Sequence, residues 1–266
     1  CHELGHVLGL PDLYDTSDNS AAGIGIWGLM GSGNWNSQKI PAYMSAWSRY
    51  SLGFINPIVV DNVTDTEAII LPAEKGGEEV TSMILSMDSN MPQEYLLLEN
   101  RQKLFSDINL KEAGLFVWHI DETITGMYPA INSVNVNPDY YGVNLLQADG
   151  LAELNYCTDS NCSDDGDPFP GSSDVDYLPN HNIPSINTYS YDRDADGYTD
   201  NGKNSNIELS DIFDHGDHIS MKITNPNEMG SIISYDEGDY TGHGISDQYD
   251  FLQWAGILFS VPTTRV

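Results

Sequence analysis

Basic residues are what this chain has least of. Its 266 residues include 10 Lys and Arg against 40 Asp and Glu, a formal charge of −30. So negative a surface repels phosphate backbones and anionic lipid headgroups, which excludes nucleic acid and the membrane surface as partners. No apolar run is long enough to cross a bilayer, so membrane insertion is not expected either. An initiator Met and a signal peptide are also missing, and export therefore has no direct signature. Cysteine is scarce, three in all. The 40% of hydrophobic residues are ample for a core of one large or two smaller domains.

The chain opens Cys1-His2-Glu3-Leu4-Gly5-His6-Val7-Leu8-Gly9-Leu10-Pro11-Asp12, an H-E-x-x-H motif extended by x-x-G-x-x-D. On a helix, residues four apart share a face, so His2 and His6 can present imidazoles to one zinc ion. Glu3 lies beside them, placed to deprotonate a metal-activated water as general base without being a ligand. Gly9 can end the helix in a left-handed conformation, and Pro11 prevents it restarting, so the chain can turn and return Asp12 as a third ligand. Two His, one Asp and a water make the open tetrahedral site of a catalytic zinc. A His pair at this spacing alone is equally an ordinary solvated or capping pair; the extension through Gly9 and Asp12 adds two constraints. For Asp12 the alternative is a loop aspartate capping the following turn.

Downstream, Gly25-Ile-Trp-Gly-Leu-Met30-Gly-Ser-Gly33 is a glycine-punctuated turn around one methionine. In metzincin zinc proteases such a turn forms an apolar floor beneath the metal, and Met30 has the sequence position for it. The run from His2 to Asp15, followed by Ile26 to Gly33, resembles the immune inhibitor A-like family of secreted bacterial metallopeptidases. Pro41 to Pro57, Glu94 to Gln102, Gly114 to Asp121 and Ala148-Asp149-Gly150 fit the same family. The resemblance implies an exported zinc endopeptidase, often calcium-containing, acting on protein or peptide substrates, with His2, His6 and Asp12 as ligands and Glu3 as catalytic base. The alternative is a calcium-stabilised extracellular binding or adhesion module with a vestigial zinc motif.

The fold class expected is α+β: the C-terminal part of a metzincin-like protease domain followed by a β-rich region, truncated at both ends. Residues 1–57 carry the zinc helix, the methionine turn and a second helix, Ala42 to Leu52, ended by Gly53 and Pro57. Because the zinc helix begins at or before residue 1, upstream substrate-binding strands are expected to be missing, and this piece alone is expected to be inactive. Residues 58–225 read as β-rich with long acidic loops; Ala68–Leu71, Tyr95–Leu98, Leu115–Trp118 and Val143–Leu146 are predicted strands. Residues 226–266 read as the start of a further β-rich domain, with a strand at Trp254–Val261.

The acidity has two compatible explanations, a solvated surface and carboxylates gathered around calcium. The best calcium candidate is Asp192-Arg-Asp194-Ala-Asp196-Gly197-Tyr-Thr-Asp200, which matches loop positions 1, 3, 5, 6 and 9 of an EF-hand. Lys203 stands where the bidentate Glu belongs, so Glu208, Asp211 or water would have to substitute. Asp164-Asp165-Gly166-Asp167 is a weaker second cluster. Cys157 and Cys162 are spaced for a small local disulfide in an oxidising compartment, or are free thiols; a zinc knuckle lacks a second ligand pair. His119 with Asp121 reads first as a hydrogen-bonded core histidine, Tyr43 as packing on the second helix, and Glu99 with Arg101 as a structural ion pair.

Overall fold

The computed structural model describes residues 1–17, 21–37, 39–75, 80–127, 132–157, 162–183, 186–192 and 197–229. The chain is mixed α and β, mostly sheet, with few and short helices. The predicted strand at Trp254–Val261 lies outside the described residues.

A five-stranded sheet is the centre of the molecule. In spatial order it runs β1 (Ile58–Val59), β3 (Ser82–Ser86), β4 (Glu94–Arg101), β5 (Gly114–Asp121) and β6 (Val143–Leu146), with β1 parallel to β3 and the rest antiparallel. A second, antiparallel sheet has the order β2 (Val63–Ile70), β8 (Ile219–Asn225), β7 (Glu208–Asp214). Side chains alternate across a strand, and here both faces of the larger sheet are buried. Ile84, Tyr95, Leu97, Phe116, Trp118, Ile120, Val143 and Leu145 face one core, shared with Leu13, Ile24, Trp27, Met30 and Trp47 of the first 57 residues. Met83, Leu85, Leu96, Leu98, Leu115 and Val117 face the other, closed by Ile70, Leu209, Ile219, Met221 and Ile223 of the smaller sheet. The larger sheet is thus a platform, carrying the H-E-x-x-H segment on one side and the smaller sheet on the other.

The predicted runs Tyr95–Leu98, Leu115–Trp118 and Val143–Leu146 fall inside β4, β5 and β6, and Ala68–Leu71 overlaps β2, which ends at Ile70. Strands β4 and β5 extend well past those runs because polar residues at their ends are buried with partners. Glu99 and Arg101 are fully buried and 3.4 Å apart. Arg49 Nη2 reaches Glu99 Oε2 at 2.6 Å, and Arg101 forks onto Asp107 at 2.5 and 2.8 Å. Burial raises the Asp107 carboxyl, but the Arg101 charge and hydrogen bonds outweigh it and hold that group below the usual carboxylate range. Arg101 Nη1 also donates to the Trp27 carbonyl (2.9 Å), so this network joins the sheet to the methionine turn.

The second helix is shorter than predicted. It spans Ala46–Ser51 rather than starting at Ala42, because Ser45 caps it by accepting from Ser48 N (3.3 Å). The preceding residues are pinned in other pairings: Tyr43 N donates to Asp107 Oδ1 (2.8 Å) and Tyr43 O accepts from Leu29 N (3.2 Å). Tyr43 does pack on this helix, with the Arg49 guanidinium 5.0 Å from its ring centre. His119 is a buried histidine bonded to Glu94 Oε1 at 2.7 Å and stacked on Tyr189.

Candidate metal centre

Helix α1, His2–Val7, is one and a half turns long and ends in a left-handed cap. Gly9 adopts φ +99°, a conformation glycine reaches without strain. Its N–H donates to His6 O (3.0 Å), and Leu10 N donates to Gly5 O (3.0 Å), the paired bonds of a Schellman motif. The chain therefore reverses at Gly9 and lays Asp12 against the helix face that carries the two imidazoles.

Asp12 Oδ1 is 2.9 Å from His2 Nε2 and 3.3 Å from His6 Nε2. One donor atom from each of the three residues lies within 4.8 Å of the others. His2 and Asp12 are buried and His6 is half-buried. His2 Nδ1 faces the Leu29 carbonyl at 2.8 Å, and His6 Nδ1 faces the Leu10 carbonyl at 2.8 Å. A carbonyl only accepts, so both Nδ1 atoms are the protonated ones, and on neutral rings both Nε2 atoms offer lone pairs to the point where Asp12 converges. Two lone pairs and a carboxylate facing each other call for a cation. Donors about 2.0–2.1 Å from a tetrahedral zinc lie about 3.3 Å apart, close to the two separations above, so the donor set fits zinc in number, type and spacing.

Met30 lies directly under this helix. A Cβ on Gly5 would overlap Met30 Sδ and come within 3.2 Å of its Cε, so the thioether occupies the space that any larger residue would need. Leu13 N donates to Met30 O (2.9 Å), tying the returning loop to the same turn. Glu3 is exposed and lines a cavity of about 350 Å³ with His2, Tyr14, Gly31, Asn34 and Trp35.

Two residues of this centre carry no signal in the sequence. Asn132, 120 positions from Asp12, grips it twice: Asn132 Nδ2 donates to Asp12 Oδ2 at 2.6 Å, and Asp12 N donates to Asn132 Oδ1 at 2.6 Å. Its own carbonyl takes the Thr16 hydroxyl at 2.6 Å. Tyr14 stacks near His2, ring centres 6.4 Å apart. Burial first, then the charge and hydrogen bond of Asp12, push its phenol up to about 12.

Elsewhere, the predicted site residues fall as follows. Of the acidic loop, Asp194 and Asp196 lie outside the described residues; Gly197 N donates to Asp192 Oδ2 (2.9 Å), and Asp200 N to Tyr191 O (3.0 Å). Asp211, a possible substitute ligand, is engaged by Lys222 at 2.9 Å, and Lys203 by Asp88 at 2.7 Å. Cys157 and Cys162 are joined as a disulfide, Cα atoms 6.2 Å apart.

With that geometry in place, the comparison with known families bears on residues 1–57, which match the sequence model of immune inhibitor A peptidase M6, catalytic domain. The match covers 57 of 266 residues and contains His2, Glu3, His6, Asp12 and Met30. It relates that segment to a family of metallopeptidases, whose substrates are peptides or proteins. No curated protein matches the chain. The match and the disulfide are compatible with export, and no described helix is long and apolar enough to cross a membrane.

Proposed function

We propose that this chain carries the zinc centre of a secreted endopeptidase, with His2, His6 and Asp12 as ligands and Glu3 as general base. The observation that carries the reading is the convergence of two Nδ1-anchored imidazoles on Asp12 Oδ1. The family match over the same residues supports it. Zinc held there would polarise a scissile carbonyl and lower the pKa of a water toward about 7.

The chain's own groups do the rest. Glu3, exposed at the cavity wall beside His2, accepts the proton of the attacking water and passes it to the leaving amine. The Leu29 and Leu10 carbonyls hold the imidazoles in the tautomer that keeps Nε2 free, and Asn132 keeps Asp12 turned toward them. Met30 fixes the height of the helix from below. Calcium in the Asp192–Asp200 loop is supported by the spacing of Asp192, Asp194, Asp196 and Asp200 and by the turn at Gly197, φ +91°.

The test is zinc content and casein cleavage by the protein in its full-length form and by its Glu3→Gln variant, with calcium in the buffer. One zinc per chain in both, with cleavage only by the parent, is the expected result. Zinc in neither, or undiminished cleavage by the variant, would overturn the assignment.

A further inference from the structure

One wall of the cavity at the metal centre is a disulfide. Cys157, bonded to Cys162 at a sequence separation of 5, lines the cavity of about 350 Å³ together with His2, Glu3 and Gly31. Both cysteines are half-buried, so small thiols can reach the sulfurs. Cys157 ends a single helical turn, Glu153–Tyr156, which is too short to be stable by itself. Ala152 enters that turn at φ +56°, a left-handed conformation unfavourable for a residue with a Cβ. The turn therefore keeps its place through bonds to other parts of the chain.

Those bonds lead to the methionine turn from both sides of the disulfide. On the Cys157 side, the buried Leu154 accepts from Ala22 N through its carbonyl (3.0 Å), and its Cδ2 would stand 2.6 Å from a Cβ on Gly25. On the Cys162 side, the buried Ser163 accepts from Ile26 N through Oγ (3.0 Å), and a Cβ on Gly25 would overlap that same Oγ. Gly25, at φ +53°, is thus gripped by residues flanking both cysteines. Its carbonyl oxygen in turn fills the space that a Cβ on Gly31 would need, and Gly31 lines the cavity. The disulfide therefore forms one part of the cavity wall directly and backs another. Leu29, the carbonyl acceptor of His2, is held separately, by its N–H to Tyr43 O (3.2 Å). The His2 anchor does not depend on the disulfide.

We propose that Cys157 and Cys162 are positioning residues, a redox-sensitive clamp on the substrate cavity, and this rests on the endopeptidase assignment above. Oxidised, the pair holds the wall against which the peptide is bound; reduced, it lets that wall loosen while the metal ligands stay in place. A dithiol completes the exchange: its two sulfurs join in a disulfide as Cys157 and Cys162 each gain one electron and one proton, and a disulfide oxidant reverses the step. The clamp closes when the chain passes from a reducing to an oxidising compartment, so peptide cleavage becomes efficient only after export.

The full-length protein is compared in three states: oxidised, reduced with a dithiol and desalted, and reoxidised with oxidised glutathione. The double variant Cys157→Ser with Cys162→Ser is carried through the same treatments. Zinc per chain should be the same throughout. In the reduced parent KM for a peptide should rise about tenfold with kcat nearly unchanged, since binding and not chemistry is lost. Reoxidation should restore the parent, and the double variant should match the reduced parent and respond to neither treatment. Amide exchange in the metal-free protein is the second readout: Ala22 and Ile26, which donate to Leu154 O and Ser163 Oγ, should exchange about tenfold faster once the disulfide is open. Should the double variant fail to fold, the reduced and reoxidised parent decides. Exchange and KM that do not change on reduction, or a double variant that behaves as the oxidised parent, would overturn the proposal. A parent with neither zinc nor cleavage would overturn the endopeptidase assignment instead, and exchange would still decide the clamp.

Discussion

Replacing Asn132 with Ala isolates the support of one candidate ligand without touching any ligand. The substitution deletes two hydrogen bonds of 2.6 Å, one to Asp12 Oδ2 and one from Asp12 N, and leaves the His2 and His6 anchors at Leu29 and Leu10 in place. Asp12 would then rotate more freely, and its second oxygen would turn to water. Loss of such support typically costs about 10–100-fold in metal affinity, which is about 1.4–2.8 kcal/mol. The assay is a competition titration of zinc against a chromophoric chelator, followed by peptide hydrolysis at saturating zinc. Zinc should bind 10–100-fold more weakly, by the same rule, while turnover at saturation stays within a few fold of the parent because Glu3 is untouched. An unchanged zinc affinity would refute the reasoning, and so would a loss of turnover that zinc does not restore.

Gly5→Ala places a methyl group into Met30. Overpacking costs about 1–3 kcal/mol and the gain in helix propensity offsets about 1 of it, so chemical denaturation should show a net loss near 1 kcal/mol; a variant more stable than the parent would contradict the contact. Asp107→Asn leaves Arg101 buried beside Glu99 at 3.4 Å and a carbonyl, and the expected destabilisation is about 3 kcal/mol. The same carboxylate sets a pH dependence. Its folded pKa lies below the unfolded value, so its contribution is complete above the usual carboxylate range near pH 4 and is lost as pH falls through the lower folded value. Urea midpoints of the parent should drop on the acid side, and the Asp107→Asn variant should show a shallower drop.

The parts of the site that sequence made legible are local. His2, His6 and Asp12 converge because a helical i, i+4 pair is followed by one glycine that reverses the chain, and both features act within eleven residues. The apolar runs of β4 to β6 marked the larger sheet, but not its extent, because the buried ends of β4 are the ionic Glu94, Glu99 and Arg101, and Glu94 and Glu99 find their partners at His119 and Arg49, 25 and 50 positions away. Strand β3 carries no alternation, since it is buried on both faces with serines at its ends. Strands β7 and β8 alternate, but within a polar stretch dominated by acidic turns. Asn132 depends on a loop that only the tertiary fold brings to Asp12. The second helix starts at Ala46 rather than at the predicted Ala42 for a related reason: Tyr43 is engaged by Asp107 and Leu29.

The central claim concerns what sits between His2, His6 and Asp12, and the zinc K-edge absorption spectrum of the zinc-loaded full-length protein tests it most directly. The expected spectrum shows a four-coordinate nitrogen and oxygen shell at about 2.0–2.1 Å with the outer-shell scattering of two imidazoles, and that pattern should fall to one imidazole in His6→Ala. A sulfur shell, a six-oxygen shell, or a two-imidazole pattern that survives His6→Ala would contradict the account.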